Sequence, residues 1–203
     1  QMKLIVMTKP TFFVEENKII EGLFESGLDE LHLYKPNSSP MYSERLLTLL
    51  PDSYYKNITV HEHYYLKEEY RLRGIHIDDE SQQPPTGYRG HVSRSCTNLN
   101  TLKEMKSKSD YVFLKHIFDS QTYKEERGLF TYGQLKAAQK QGLIDRHVYA
   151  LGGINLDNIH IAKELGFGGV VISGDLWNRF DIHQGVDYKE LLEHFEKLRK
   201  AIK

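Results

Sequence analysis

The chain alternates short apolar runs with longer stretches in which apolar residues recur every three or four positions. The short runs are typical of buried strands, and the longer stretches are typical of helices with one buried face. Strands are predicted to begin near Lys3, Glu30, Asn57, Gly74, Gly90, Asp110, His147 and Gly169. Helices are predicted over residues 15–26, 43–50, 65–72, 99–106, 132–141, 156–165 and 187–202. Around Gln82–Pro85 the helical pattern is missing, which predicts that one helix is reduced to a loop.

Strands that alternate with helices predict a parallel sheet, because each crossover helix returns the chain to the same edge of the sheet. The 203 residues allow eight such units of roughly 25 residues each. We therefore predict an α/β fold, a small (β/α)8 TIM barrel that forms a single domain over residues 2–203. The alternative is an open doubly wound sheet, although no G-x-G-x-x-G motif follows the first strand to indicate a dinucleotide site.

Glycine turns end the last two predicted strands. The run Val148–Leu151 stops at Gly152-Gly153, and the run after Gly169 stops at Ser173-Gly174. Glycine lets backbone N–H groups approach a ligand, and (β/α)8 barrels commonly bind phosphate after strands seven and eight, beside a short extra helix. Residues 174–177 are predicted to be that helix. The predicted phosphate-binding residues are Gly152, Gly153, Ile172, Ser173 and Gly174. The alternative is a pair of glycine turns that bind nothing.

Composition limits the classes of partner. The formal net charge is −1, so no basic field indicates nucleic acid binding. No apolar run is long enough to span a bilayer, and the N-terminus has no signal-peptide pattern. The single cysteine, Cys96, fits a reducing compartment and is predicted to be a small buried thiol. We predict a cytoplasmic protein with no membrane partner.

His116 is the best candidate for proton transfer, because an ordinary imidazole titrates near neutrality and functional groups of barrels collect at strand ends. It follows the sixth strand and would share a face with Val112 and Leu114 in an extended chain. If that face points into the barrel, His116 stands in its mouth. The alternative is a rim histidine that hydrogen-bonds to a neighbouring loop.

His61 and His63 flank Glu62 at the end of the third strand, where two imidazoles on one side could bind a metal with Asp78 or Asp79. Two histidines in a solvated loop are the commoner arrangement, and residues 78–80 form a solvated acidic turn in the simpler interpretation. We predict no tightly held structural metal.

Several motifs occur in an order that resembles the thiamine phosphate synthase and TenI family of (β/α)8 barrels. Ala150–Ile154 looks like the family's A-I-G-G-I turn, and Val171–Ser173 looks like its V-V-S. Leu31–Lys35 lies where the family has H/Q-[LI]-R-E-K. Asp110–Ser120 is similar to D-Y-V-x-x-G-P-V-F-x-T, and Arg94–Thr97 resembles the strand end before the fifth helix. The resemblance covers nearly the whole chain.

The resemblance implies that the chain binds small phosphorylated thiazole or pyrimidine ligands, and it leaves a homo-oligomer open. The substrate-binding residues that it implies are His32, Tyr34, Lys35, His61, Arg94, Ser95, Thr97, Ser120 and Thr122. Mg²⁺ is implied as a cofactor only for the synthase branch.

The chain departs from the synthase branch where that branch supports magnesium and pyrophosphate. Its N-D pair is replaced by His61-Glu62, and its aspartate after strand four aligns with Ser81. Its arginine in strand two is Tyr34, and its lysine after T-x-T has no match in register, since Lys124 comes one place late. Fewer groups remain to stabilise a departing pyrophosphate.

His116 occupies the position where TenI-type thiazole tautomerases have a catalytic histidine, in G-H-V-F-E-T. The favoured hypothesis is therefore a tautomerase that uses His116 as acid and base and needs no cofactor. The second hypothesis is a thiamine phosphate synthase, which joins hydroxymethylpyrimidine pyrophosphate to thiazole phosphate and releases pyrophosphate. The third is a non-catalytic regulator that binds a thiazole phosphate or thiamine phosphate.

Overall fold

Eight parallel strands form a closed barrel in the computed structural model, which describes residues 1–181 and 188–203. The strands are β1 (Lys3–Met7), β2 (Glu30–Leu33), β3 (Ile58–Val60), β4 (Gly74–Ile77), β5 (His91–Cys96), β6 (Tyr111–Leu114), β7 (Val148–Leu151) and β8 (Gly169–Ile172). Each strand pairs with the next, and β8 pairs with β1 with Lys3 opposite Gly169. This closure confirms the predicted (β/α)8 barrel and excludes the open sheet.

Helices follow most strands, close to the predicted positions. They are α1 (Glu16–Glu25), α2 (Pro40–Thr48), α3 (Tyr65–Tyr70), α4 (Leu102–Ser107), α5 (Tyr132–Lys140), α6 (Ile159–Glu164), α7 (Gly174–Trp177) and α8 (Lys189–Ala201). The predicted start of the last helix, Asp187, lies outside the described residues. Within the described ranges, no helix is long and apolar enough to cross a membrane.

Two local features differ from the prediction, and a third confirms it. The second helix starts at Pro40 rather than residue 43, because the Ser39 hydroxyl accepts a hydrogen bond from Met41 N at 3.3 Å and proline suits the first turn. A 3-10 helix, Asp52–Asn57, precedes β3 and was not predicted. The loop predicted around Gln82–Pro85 is confirmed, since residues 78–90 contain no helix.

The strands separate two apolar layers. The larger layer lies between barrel and helices, and it includes Val112 and Leu114 together with Leu102 and Leu135. The smaller layer fills the inside of the barrel and consists of Ile5, Tyr111, Phe113, Tyr149 and Val171. Successive strand residues point to opposite faces, so the side chains of Tyr111 and Phe113 point inward and those of their even-numbered neighbours point to the helices. The face of β6 that was expected to carry His116 into the barrel therefore points outward.

Candidate functional site

A pocket opens at the carboxyl ends of the strands, where functional side chains of barrels are expected. Most of the predicted site residues line it: Tyr34, His61, Ser95, His116, Ser120, Thr122, Gly152, Gly153, Ser173 and Gly174. They come from the ends of β2, β3, β5, β7 and β8 and from the long loop after β6. The fold therefore brings predicted residues that are far apart along the chain together in one cavity.

Five predicted residues lie outside this pocket. Ile172 is buried in the layer between barrel and helices, and Thr97 is exposed beyond the end of β5. Arg94 is buried on the outer face of β5, where its guanidinium donates to Gln82 O at 2.8 Å. Its neighbours on both sides, among them Ser95, point into the barrel, so the strand alternation directs Arg94 outward.

Lys35 and His32 are also absent from the pocket wall. Lys35 is completely buried beside α1, where Nζ donates to Glu16 Oε2 at 2.6 Å and to Thr11 O at 2.8 Å. Burial lowers the pKa of Lys35, and the Glu16 carboxylate opposes that shift. His32 lies inside the barrel beneath His61. The resemblance places both residues near a substrate, whereas the structure gives their polar atoms protein partners.

The two glycine turns meet at one end of the pocket with free backbone donors. Within the described residues, the N–H groups of Gly153, Ser173 and Gly174 donate to no other residue, and the Ser173 hydroxyl also has no partner. Gly153 has φ +64, and a Cβ there would lie 2.1 Å from Asp119 O. The glycine is therefore required by the closely packed loop as well as by its backbone conformation. Neutral donors of this kind suit an anion.

Asp175 borders the same turns, and a carboxylate near bound phosphate would be repulsive. Its carboxylate is hydrogen-bonded to two basic side chains on the helix side of the turn. Oδ2 lies 2.7 Å from His194 Nε2 on α8, and Oδ1 accepts from Arg179 at 3.1 Å. These partners hold the negative charge on the helix side of the turn and leave the backbone donors to face the cavity.

His116 lines the pocket for a different reason from the one predicted. β6 ends at Leu114, and the consecutive residues Lys115 and His116 both line the cavity, which strict strand alternation would not allow. The loop, not the strand, sets the direction of the imidazole. Burial lowers the pKa of His116, Glu126 opposes this shift, and Lys115 adds to it. A neutral imidazole is the form that can accept a proton near neutral pH.

An ion pair that was not predicted joins the ends of β4 and β6 across the pocket wall, although Asp78 was considered there as a possible metal ligand. Lys115 Nζ lies 2.9 Å from Asp78 Oδ1, and both residues line the cavity. Their position directly after predicted strands was the available signal. Tyr123 and Glu126 also line the pocket, but they lie in an irregular loop where no periodicity could indicate their direction.

The alternative in which His61 and His63 present two imidazoles on one side is not what the structure shows. His63 has φ +53 and its Nε2 lies 3.0 Å from Ser38 O, so its ring is directed away from the barrel interior. His61 instead contacts two other imidazoles, from His32 on β2 and His76 on β4. Burial lowers the pKa of His61 to about 3 and lowers the pKa values of the other two well below the usual range. All three rings are therefore neutral at pH 7.

The fold and this pocket define a class: small (β/α)8 barrels that open a cavity at the carboxyl ends of the strands, with glycine turns after β7 and β8. Residues 45–176 match the family model TMP-TENI, described as thiamine monophosphate synthase. The chain belongs to this family, which confirms the resemblance read from its motifs.

Solved structures agree with this family. A crystal structure of thiamine phosphate pyrophosphorylase from Bacteroides thetaiotaomicron is 52% identical, with 98% of this chain and 97% of that chain covered and a TM-score of 0.89. Thiamine phosphate pyrophosphorylase from Pyrococcus furiosus is 19% identical over 99% and 95% of the two chains, with a TM-score of 0.75. Phosphoribosyl anthranilate isomerase from Thermus thermophilus shares the fold at 15% identity and a TM-score of 0.62 over 98% and 99%. Comparison with curated protein sequences gives no match.

Proposed function

We propose that this protein isomerises a carboxylated thiazole phosphate, as a TenI-type tautomerase with His116 as acid and base. Family membership supports a role in thiamine biosynthesis. The observation that carries the proposal is the position of His116, whose imidazole lines the same pocket as the free donors of Gly153, Ser173 and Gly174. A ligand anchored by its phosphate at the turns would present its ring to the imidazole.

The reaction needs one proton to move between two carbons. The neutral imidazole of His116 takes a proton from the ring carbon, and the C–H electron pair shifts into the ring system. The imidazolium then returns the proton to the exocyclic carbon. This step restores the neutral imidazole and completes an isomer with the same atoms and electrons as the substrate. Positioned acid–base groups of this kind typically contribute 10²- to 10⁴-fold. The anchored phosphate fixes the distance and adds to the rate.

Thiamine phosphate synthase is the second candidate, favoured by the 52% identity to a protein of that name. Magnesium binding in that branch relies on positions that here hold His61, Glu62 and Ser81. Glu62 Oε1 already accepts from Lys35 N at 2.7 Å, and Ser81 lies on an exposed turn bonded to Asp79. His61 and Ser81 offer a neutral imidazole and a hydroxyl, which are poor ligands for Mg²⁺. Glu62 is a carboxylate, the kind of ligand that Mg²⁺ prefers, but it is not among the residues that line the pocket. These residues do not fit the metal at those positions, and we derive no step through it.

Two assays separate the candidates. The purified protein is first given the carboxylated thiazole phosphate, and isomerisation is followed by NMR. It is then given hydroxymethylpyrimidine pyrophosphate, thiazole phosphate and Mg²⁺, and pyrophosphate release is measured. Isomerisation alone supports the proposal. Pyrophosphate release identifies the synthase, and binding without either reaction identifies the regulator.

Ser173→Ala is expected to weaken binding of the thiazole phosphate roughly tenfold or more, since a hydrogen bond to a charged group is worth about 1.5–3 kcal/mol. Calorimetric titration measures the affinity. Ser107→Ala, which removes an exposed hydroxyl from α4, is the matched control and should bind as wild type. Equal affinities for the two variants would place the phosphate elsewhere. Gly153 is a poorer choice for this test, because any side chain there collides with Asp119 O.

The isomerisation rate is expected to fall at acid pH. The reaction uses the neutral form of His116, and burial moves its pKa below the ordinary value of 6.5. As the pH falls through that lowered pKa, the imidazole gains a proton and the base is lost. The profile of kcat/KM against pH, which reports the free enzyme, should therefore reach half its plateau below pH 6.5. A midpoint above 6.5 would mean that the titrating base is another group.

A further inference from the structure

A chain of hydrogen bonds runs from the floor of the pocket through the interior of the barrel. His61 Nε2 lies 2.8 Å from His32 Nδ1, and His32 Nε2 lies 2.5 Å from the Tyr111 hydroxyl. Tyr111 lies 3.3 Å from Glu30 Oε1, which is paired with Arg73 Nε at 2.7 Å. The chain therefore connects a neutral pocket residue to an ion pair at the beginning of β2.

A second branch joins the same interior from the opposite wall. His76 lies 2.8 Å from the Ser93 hydroxyl through Nδ1 and 2.8 Å from the Ser95 hydroxyl through Nε2. Because a neutral imidazole carries one proton, one ring nitrogen of His76 donates to its serine hydroxyl and the other accepts from its serine hydroxyl.

The last members of the first branch determine its direction. An ionised carboxylate only accepts hydrogen bonds, so the Tyr111 hydroxyl donates its proton to Glu30 Oε1. The Tyr111 oxygen then accepts from His32 Nε2–H. A neutral imidazole carries one proton, so His32 Nδ1 accepts from His61 Nε2–H.

We propose that this network holds His61 as the Nε2–H tautomer and presents its unprotonated Nδ1 to the pocket as a hydrogen-bond acceptor. Within the described residues, Nδ1 has no hydrogen-bond partner and is not among the buried polar atoms that lack one, while His61 lines the cavity. The ligand that suits this atom carries a neutral donor, such as an amino, hydroxyl or ring N–H group. His61 binds the ligand, and His32 and Tyr111 are positioning residues.

The inference rests on the proposed function only in treating the pocket as the ligand site.

The three imidazoles could also be considered as metal ligands, since one nitrogen of each lies within 4.8 Å of the others. Both nitrogens of His32 and both of His76 already have hydrogen-bond partners. A metal would have to break at least two of these bonds, so the hydrogen-bonded network is the better description.

Long-range ¹⁵N–¹H correlation of the histidine side chains at pH 7 tests the proposal without any activity. The expected pattern is the Nε2–H tautomer for His61 and His32. In Tyr111→Phe, which keeps the ring but removes the acceptor for His32 Nε2–H, His32 and His61 should become mixtures of tautomers. Tyr149→Phe is the matched control, because its ring stacks on Tyr111 at 4.5 Å; this variant should keep the wild-type pattern.

Three results would overturn the proposal: a Nδ1–H tautomer of His61 in the wild type, an unchanged pattern in Tyr111→Phe, or equimolar Zn²⁺ that shifts the nitrogen resonances of all three rings.

A further measurement tests whether His61 contacts the ligand. Hydroxymethylpyrimidine pyrophosphate, whose pyrimidine ring carries an amino group, should move the His61 Nδ1 resonance toward its hydrogen-bonded value. If the amide resonances of Gly153 and Ser173 move and that of Nδ1 does not, His61 does not bind the ligand. Loss of isomerisation with this pattern intact would count against the proposed function alone.

Discussion

His116→Asn is expected to lower kcat for thiazole isomerisation by 10²- to 10⁴-fold and to leave binding of the thiazole phosphate nearly unchanged. The substitution removes the only imidazole of the long loop after β6 and keeps a polar side chain at that place. The phosphate donors of Gly153 and Ser173 are untouched, so the ground-state affinity should persist. Turnover is followed by NMR under saturating substrate, and affinity is measured by calorimetry.

His160→Asn is the matched control, because His160 is exposed on α6. This variant should change neither kcat nor the affinity for thiazole phosphate. If His116→Asn isomerises as fast as wild type, His116 is not the base even if the family and the reaction are right. If the variant loses affinity and turnover together, His116 holds the substrate rather than moving its proton.

Lys35→Met is expected to destabilise the fold by about 3–5 kcal/mol, because it leaves the Glu16 carboxylate as an unpaired buried charge. The side chains of Lys35 and Glu16 are 0% and 1% exposed, and among the described residues Glu16 Oε1 has no hydrogen-bond partner even in the wild type. Burial raises the pKa of Glu16, and the Lys35 ammonium opposes that shift. Urea unfolding measures the loss of stability.

The double variant Lys35→Met/Glu16→Leu should recover most of that stability, since replacing a whole buried ion pair by apolar groups is often neutral. Lys103→Met, at an exposed position on α4, is the control and should change stability by less than about 0.5 kcal/mol. If Lys35→Met has wild-type stability and fails to bind thiazole phosphate, Lys35 contacts the ligand, as the family resemblance implies.

Local pattern was sufficient to predict the barrel. Each of the eight strands begins within one residue of its predicted start, because short apolar runs end at glycine, proline or polar residues. The glycine turns after β7 and β8 were recognised for the same reason, since they follow directly from adjacent residues. Glycine at positions 152 and 153, with φ +113 and +64, reports a backbone conformation that is encoded locally.

Side-chain direction at the site depended on the closed barrel. Lys35 and Ser95 were both predicted as site residues near strand ends. Lys35 nevertheless pairs with Glu16 on α1, whereas Ser95 lines the pocket. His32 meets Tyr111 across 79 residues of sequence, a contact that no local periodicity encodes. The sequence by itself determined the strands, the glycine turns and the family. Tertiary structure alone decided which polar groups face the cavity, because strand alternation and loop packing assign each side chain to the inside or outside of the barrel.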